Sequence, residues 1–256
     1  MRVRNGWLET SCVEFEHPKT QSQIGLIGMM HVGSPDYYQW VQTYMDNRAS
    51  AGARIHYESI REPTTEEKEQ DPEMAAIFDQ TVGVPNLATD HVIKEWGMVK
   101  QVDAVKLPAD AECYDLSAVK FVEAVGFADL ASRVQEYEKG AKAFARFDPE
   151  VRDLCVRGVF RLLPHMEFST RFITAAGRST APRNQAELDG IRQTLEADPG
   201  ARISVFWGEG HMDGLIKGVR KMDYRQTNKW HVPAVPIGGE QRLKKPSKWA
   251  HAPVAS

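Results

Sequence analysis

Ile24-Gly25-Leu26-Ile27-Gly28-Met29-Met30-His31 and Ile203-Ser204-Val205-Phe206-Trp207-Gly208-Glu209-Gly210-His211 are two versions of one phrase, one near each end of the chain. Each is an apolar run that ends in glycine and, three residues later, histidine. A short continuous apolar run bounded by a turn reads as a buried strand. The glycine lets the backbone turn without a Cβ clash. The amphipathic stretch beyond reads as a helix. Strand, turn and helix, twice over, predict an α/β fold: a mixed β-sheet flanked by helices, in two pseudo-related halves that each carry a strand–GxxH–helix unit. In open α/β sheets ligands bind beyond the carboxyl ends of the strands, so the two imidazoles are expected to meet there.

Working outward from the first phrase, Trp7 to Phe15 alternates apolar and polar residues, and a turn at His17-Pro18-Lys19-Thr20 joins it to the apolar run as a hairpin. Ser34-Pro35 opens a helix, with Tyr37, Val41, Tyr44 and Met45 on one face. Ala53 to Ile60 is a predicted strand that places Arg54, His56 and Glu58 on one side. Glu62 to Glu73 is acidic and proline-punctuated, and predicts a solvated loop. Helical pieces follow around residues 74–78 and 87–96. Val102 to Leu107 reads as a strand ended by Pro108-Ala109-Asp110. Residues 116–163 read as largely helical, with breaks at Gly126, Gly140 and Asp148-Pro149.

Working outward from the second phrase, Thr180-Ala181-Pro182 opens a helix that runs through Ile191 and Leu195 to a stop at Asp198-Pro199-Gly200. Ala201 to Trp207 is the last clear strand. Met212, Leu215, Ile216, Val219 and Met222 form the apolar face of a final helix. The expected organisation is one domain over residues 1–237 and a flexible, basic, proline-containing tail over residues 238–256.

Composition narrows the function classes. With a net charge of -3, nothing in the charge balance favours nucleic acid or an anionic membrane. The three cysteines, Cys12, Cys113 and Cys155, are far apart and form no CxxC pair, which argues against a zinc ribbon or a disulfide framework. The stretch from Met1 to Glu16 has no continuous apolar core of the secretory type, and no run approaches a membrane span. A soluble cytoplasmic protein is the expectation. HExxH, GxxxxGK[ST] and GxSxG are absent. Gly208-x-Gly210-x-x-x-Gly214 approximates a dinucleotide loop, but no acidic residue lies about 20 positions on, and no complete βαβ unit can follow.

The residues left to carry chemistry are the two histidines and the acids near them. Neutral imidazole is a good ligand for divalent transition metals, although a lone histidine at a strand end is more often structural. A metal site needs a third protein ligand. Glu58, at the end of the strand after the first phrase, is the leading candidate, and pairing with Arg61 is its bland alternative. Asp110 is a second candidate. Glu209 is either a general base or a surface side chain.

These pieces, taken in order, resemble the TraB/PrgY/GumN family, which includes the Tiki metalloproteases and belongs to a wider EreA/ChaN-like group. The residues that carry the resemblance are Gly28-Met29-Met30-His31; Glu58-Ser59-Ile60-Arg61; Pro108-Ala109-Asp110 with Leu116-Ser117; Arg183-Asn184; and Gly208-Glu209-Gly210-His211-Met212-Asp213-Gly214-Leu215, with Tyr224 and Trp230 beyond. They span residues 7 to 235. Met29-Met30 and Glu209 are bulkier than the residues usual at those places. The resemblance implies two related halves whose GxxH motifs converge on one site. It also implies that His31, Glu58 and His211 belong to that site and that Arg183 brings a positive charge to it.

The resulting expectation is a metal-dependent hydrolase, possibly a peptidase, acting on a small-molecule or peptide substrate. His31 and His211 would bind a divalent ion such as Mn, Co or Zn, with Glu58 as third ligand or as base. Such an ion lowers the pKa of its bound water from about 15.7 to about 7. Arg183 would stabilise the developing oxyanion. A metal-free variant has His31 as base, Glu58 orienting it and Arg183 holding an anionic substrate. The alternative from another class, suggested by the same relatives, is a non-catalytic protein that sequesters haem iron or a peptide.

Overall fold

The computed structural model describes residues 1–83, 87–164 and 174–238. The chain opens with β1 (Arg2–Arg4), β2 (Trp7–Glu16) and β3 (Gln23–Met29), and the last two form the expected antiparallel hairpin, with Cys12 opposite Ile27 and Phe15 opposite Ile24. A two-residue strand, β4 (Val32–Gly33), leads into α1 (Pro35–Ser50), where the Ser34 side chain accepts from the Tyr37 amide as cap. Then come β5 (Arg54–Tyr57), α2 (Thr65–Gln70), α3 (Pro72–Gly83), α4 (Leu87–Trp96), β6 (Val99–Lys100) and α5 (Gln101–Ala104). The second half holds α6 (Ala118–Val125), α7 (Phe127–Phe144), α8 (Pro149–Leu162), α9 (Thr174–Ala197), β7 (Arg202–Gly208), α10 (Met212–Lys221) and β8 (Arg225–Pro236).

The main sheet runs β1-β2-β3-β7-β5, with β8 also paired to β2. Its β3-β7-β5 portion is parallel and its β2 edge antiparallel, which makes it the mixed sheet the two phrases predict. Gly28 pairs with Trp207 and Met29 with Gly208, so the two phrases lie side by side although about 180 residues separate them in sequence. β3 and β7 read as unbroken apolar runs because both of their faces are covered. On one face, Tyr37, Val41, Tyr44 and Met45 of α1 pack against Leu8, Ile27, Ile55 and Phe206. On the other, Leu188 and Ile191 of α9 and Met212, Leu215 and Val219 of α10 pack against Ile24, Leu26, Ile203 and Val205. Each such side chain withdrawn from water contributes about 1.5–3 kcal/mol. A third, smaller cluster joins α3, α6 and α7 through Phe78, Phe121, Val125 and Leu130.

Several local expectations are corrected. The acidic stretch after residue 62 contains α2, closed by a reciprocal capping box between Thr64 and Glu67, and this outweighs its polarity. The strand expected over 102–107 is absent. α5 occupies its start, and Val102 stands 82% exposed, so its β-branched side chain packs against no sheet. Gly140 lies within α7 and breaks nothing. Pro182 lies inside α9, whose first turns precede it. The twelve-residue β8 was hidden by its polar start and its two prolines, Pro233 and Pro236. It pairs along β2 with two register shifts. Among the described residues no helix is long and apolar enough to cross a membrane. All but the first residue of the expected tail lies outside the described residues.

Candidate functional site

The carboxyl ends of β3, β7 and β5 adjoin, and each delivers one candidate residue. His31 follows β3 and is exposed. His211 closes the single 3-10 turn between β7 and α10 and is buried. Glu58 follows β5, and its backbone amide still bonds to the Phe206 carbonyl at 3.1 Å, which holds it against β7. Segment 112–117 runs alongside this end of β5 through bridges at His56–Glu112 and Arg61–Ser117, and so brings in Asp115. Arg183, Asn184 and Glu187 come from the buried face of α9, the face that lower down carries Leu188 and Ile191.

Arg183 is the hub. Its Nε donates to Asp115 Oδ1 at 2.9 Å and its Nη2 to Asp115 Oδ2 at 2.5 Å, a two-pronged pairing with a side chain that is fully buried. Nη2 also donates to Glu58 Oε1 at 2.6 Å. The second oxygen of Glu58 accepts from the Gly208 amide, in the turn of the second phrase. Nη1, the one nitrogen of the guanidinium with no carboxylate partner among the described residues, lies 3.4 Å from His211 Nε2. His211 Nε2 is 3.7 Å from Glu58 Oε1, and His211 Nδ1 is 2.7 Å from Asn184 Oδ1.

The protonation states follow. Burial works to raise the Glu58 pKa, but the Arg183 charge, with the His211 imidazole, the Gly208 amide and nearby His31 beside it, outweighs burial and holds the carboxyl below its ordinary range. Burial pushes His211 down, and Arg183 and His31 add to that against the pull of Glu58 and Asp115, which leaves a neutral imidazole at pH 7. Burial would lower Arg183, but its two carboxylates more than compensate and keep it charged. His31 is close enough to bias the charge of both Glu58 and His211.

His31, Glu58, Arg183 and His211 therefore share one end of the sheet. Asp110 does not join them. It is exposed and sits within the field of Arg54, at the amino-terminal end of β5, because the strand it was expected to end does not exist. Glu209 is neither a base in the site nor a surface residue. It turns across Gly28, accepts from the Ser11 amide and hydroxyl at 2.8 Å each, and pairs with the Met1 ammonium. Sequence reasoning missed Asp115 and the role of Asn184. Asp115 stands just before the Ser117 cap of α6, where an acid looks like ordinary helix-start chemistry.

The expected divalent metal does not fit this arrangement. A guanidinium already neutralises Glu58 and places a cation 3.4 Å from His211 Nε2, and the second histidine nitrogen is engaged by Asn184. Among the described residues no three His, Cys, Asp or Glu side chains are grouped so as to hold a metal ion.

No family model, no curated protein and no solved structure matches the chain.

Proposed function

We propose that the chain is a hydrolase of the TraB/PrgY/GumN type, acting on a small-molecule or peptide substrate without a metal, with His211 as general base and Arg183 as the donor that stabilises the oxyanion. One observation carries the reading: His211 Nε2 and Arg183 Nη1, a guanidinium nitrogen with no carboxylate partner among the described residues, lie 3.4 Å apart at the carboxyl end of the sheet.

Hydrolysis needs both groups together. As the carbonyl oxygen enters, Arg183 Nη1 turns to it from His211 Nε2, and the freed Nε2 takes a proton from water as the water oxygen attacks the carbonyl carbon. Arg183 Nη1 donates to the carbonyl oxygen as negative charge develops there. His211 then returns the proton to the leaving group, and the carbon–heteroatom bond breaks. Glu58 is a poor base because two donors hold its charge, so its part is to fix Arg183 from one side while Asp115 fixes it from the other. The two carboxylates hold Nε and Nη2, so the guanidinium keeps its place while Nη1 changes acceptor from His211 to the carbonyl oxygen. His31, exposed at the rim, contacts the incoming substrate. The two carboxylates also offset the Arg183 charge. They leave it a directed hydrogen-bond donor and make it a poor general anchor for anionic substrates.

The test is a panel of activated esters and short peptide amides offered to the chelator-treated protein. Hydrolysis that survives chelation and is lost in His211→Ala is expected. Activity that disappears on chelation and returns with a single added metal would overturn the metal-free reading. Activity unchanged in His211→Ala would remove the base.

A further inference from the structure

We propose that Asn184 is a positioning residue that locks His211 in the tautomer with its proton on Nδ1, leaving Nε2 unprotonated beside Arg183 Nη1, as the nitrogen that becomes the base once a substrate carbonyl draws Nη1 away. This rests on the hydrolase reading for its purpose, but the tautomer itself is a property of the resting protein.

A neutral imidazole carries one N–H, and three contacts agree on where it is. Asn184 Oδ1 lies 2.7 Å from Nδ1 and accepts. The orientation of the amide is fixed separately, because its Nδ2 faces the backbone carbonyl of His211 at 3.5 Å, where an oxygen would meet another oxygen. On the other side of the ring, Nε2 faces Arg183 Nη1, and a guanidinium can only donate, so Nε2 must accept. With Nε2 protonated, both ring nitrogens would face the wrong partner.

The fold makes room for this amide. Gly214, in the first turn of α10, lies so close to Asn184 Nδ2 that a Cβ there would overlap it. Arg183 and Asn184 are adjacent on α9, so one helix turn sets both the donor beside Nε2 and the acceptor beside Nδ1. The glycine four residues after Gly210 thus finds a use other than phosphate binding: it admits the side chain that orients the base.

Histidine-selective nitrogen NMR on the full chain, above the ordinary imidazole range, reads the tautomer directly. The wild-type His211 signal is expected in the Nδ1–H pattern. Asn184→Ala is expected to populate the Nε2–H pattern and to lose about 10²-fold in kcat with little change in KM, the scale of a misdirected general base. Asn184→Asp keeps an acceptor at Nδ1 and is expected to keep the wild-type pattern. Gly214→Ala displaces the amide from outside the site and is expected to behave like Asn184→Ala. Each variant is checked by its cooperative thermal transition, and the Asp and Gly214 variants carry the test if Asn184→Ala does not fold. An Nε2–H pattern in the wild type, or the same tautomer in wild type and Asn184→Ala, overturns the proposal. The expected tautomers with no hydrolysis of any ester or amide would leave the positioning role standing and overturn the hydrolase reading.

Discussion

Gly28 of the first phrase faces Glu209 of the second across the β3–β7 pair, and a Cβ on Gly28 would overlap the Glu209 carboxylate. The two motifs are therefore coupled. The glycine of one is needed because the acid of the other occupies the space where its side chain would be. The bulk of Glu209, which looks out of place in the sequence, is absorbed by Ser11 and by the missing Cβ of Gly28.

Gly28→Ala is expected to drive Glu209 off Ser11 and deprive a buried carboxylate of the two hydrogen bonds it accepts there, a loss of about 2 kcal/mol or more. Urea unfolding of the single variant measures it. Glu209→Gln in the Gly28→Ala background should recover part of the loss, because the charge is gone. A Gly28→Ala variant within about 0.5 kcal/mol of wild type would show that the two turns are not coupled.

Arg183→Gln removes the cation that two nearly buried carboxylates share, and should destabilise the protein by about 3–5 kcal/mol. Arg183→Lys keeps the charge but not the fork, and should fall between the two. The acid limb of stability should also move. The folded pKa of Glu58 is held low, so its stabilisation is present above the ordinary carboxylate range and is lost as pH falls through the folded value. Without Arg183 the folded value rises toward or above the unfolded one, so the loss of stability that Glu58 contributes on acidification should shrink. Denaturation midpoints across the acid range would decide, and an unmoved limb would count against the pairing.

His211 is pushed below its ordinary value of 6.5, so the folded state binds its proton less readily than the unfolded chain. Its contribution is complete above 6.5 and is lost as pH falls toward the folded value. The same displacement keeps the base free. The rate of hydrolysis should hold level down through 6.5 and fall only below it. A rate profile whose acid limb lies above 6.5 would remove His211 as the base.

Beneath the site, Glu187 and His56 form a second pair with both side chains fully buried: His56 Nδ1 lies 2.8 Å from Glu187 Oε1, and Glu187 Oε2 has no partner among the described residues. Burial raises the Glu187 pKa against the pull of His56. A carboxyl with a raised folded pKa contributes fully below its unfolded value and loses that contribution as pH rises through the folded one. Glu187→Gln keeps an acceptor for His56 and should therefore gain stability over wild type as pH rises. Melting temperatures compared in mildly acidic and mildly alkaline buffer test this, and an equal difference at both would refute it.

The sequence by itself determined the strands β3 and β7, the turns beyond them and the helices α1 and α10, because continuous apolar runs and 3.6-residue spacing are local properties of the chain. The repeated phrase suggested that His31 and His211 approach one another, and the resemblance implied that Glu58 and Arg183 join them. Where local pattern conflicts with packing it misled: Val102 is β-branched but has no sheet to join, and β8 starts with exposed polar residues that only pairing with β2 makes a strand. Tertiary structure alone decided that Asp115 and Glu58 occupy Arg183, that Asn184 reaches His211 past Gly214, that Glu209 turns inward over Gly28 and that Asp110 stays outside. Each of these is a contact between residues distant in sequence, fixed by the register of parallel strands and the seating of α9, and no periodicity within either partner encodes it.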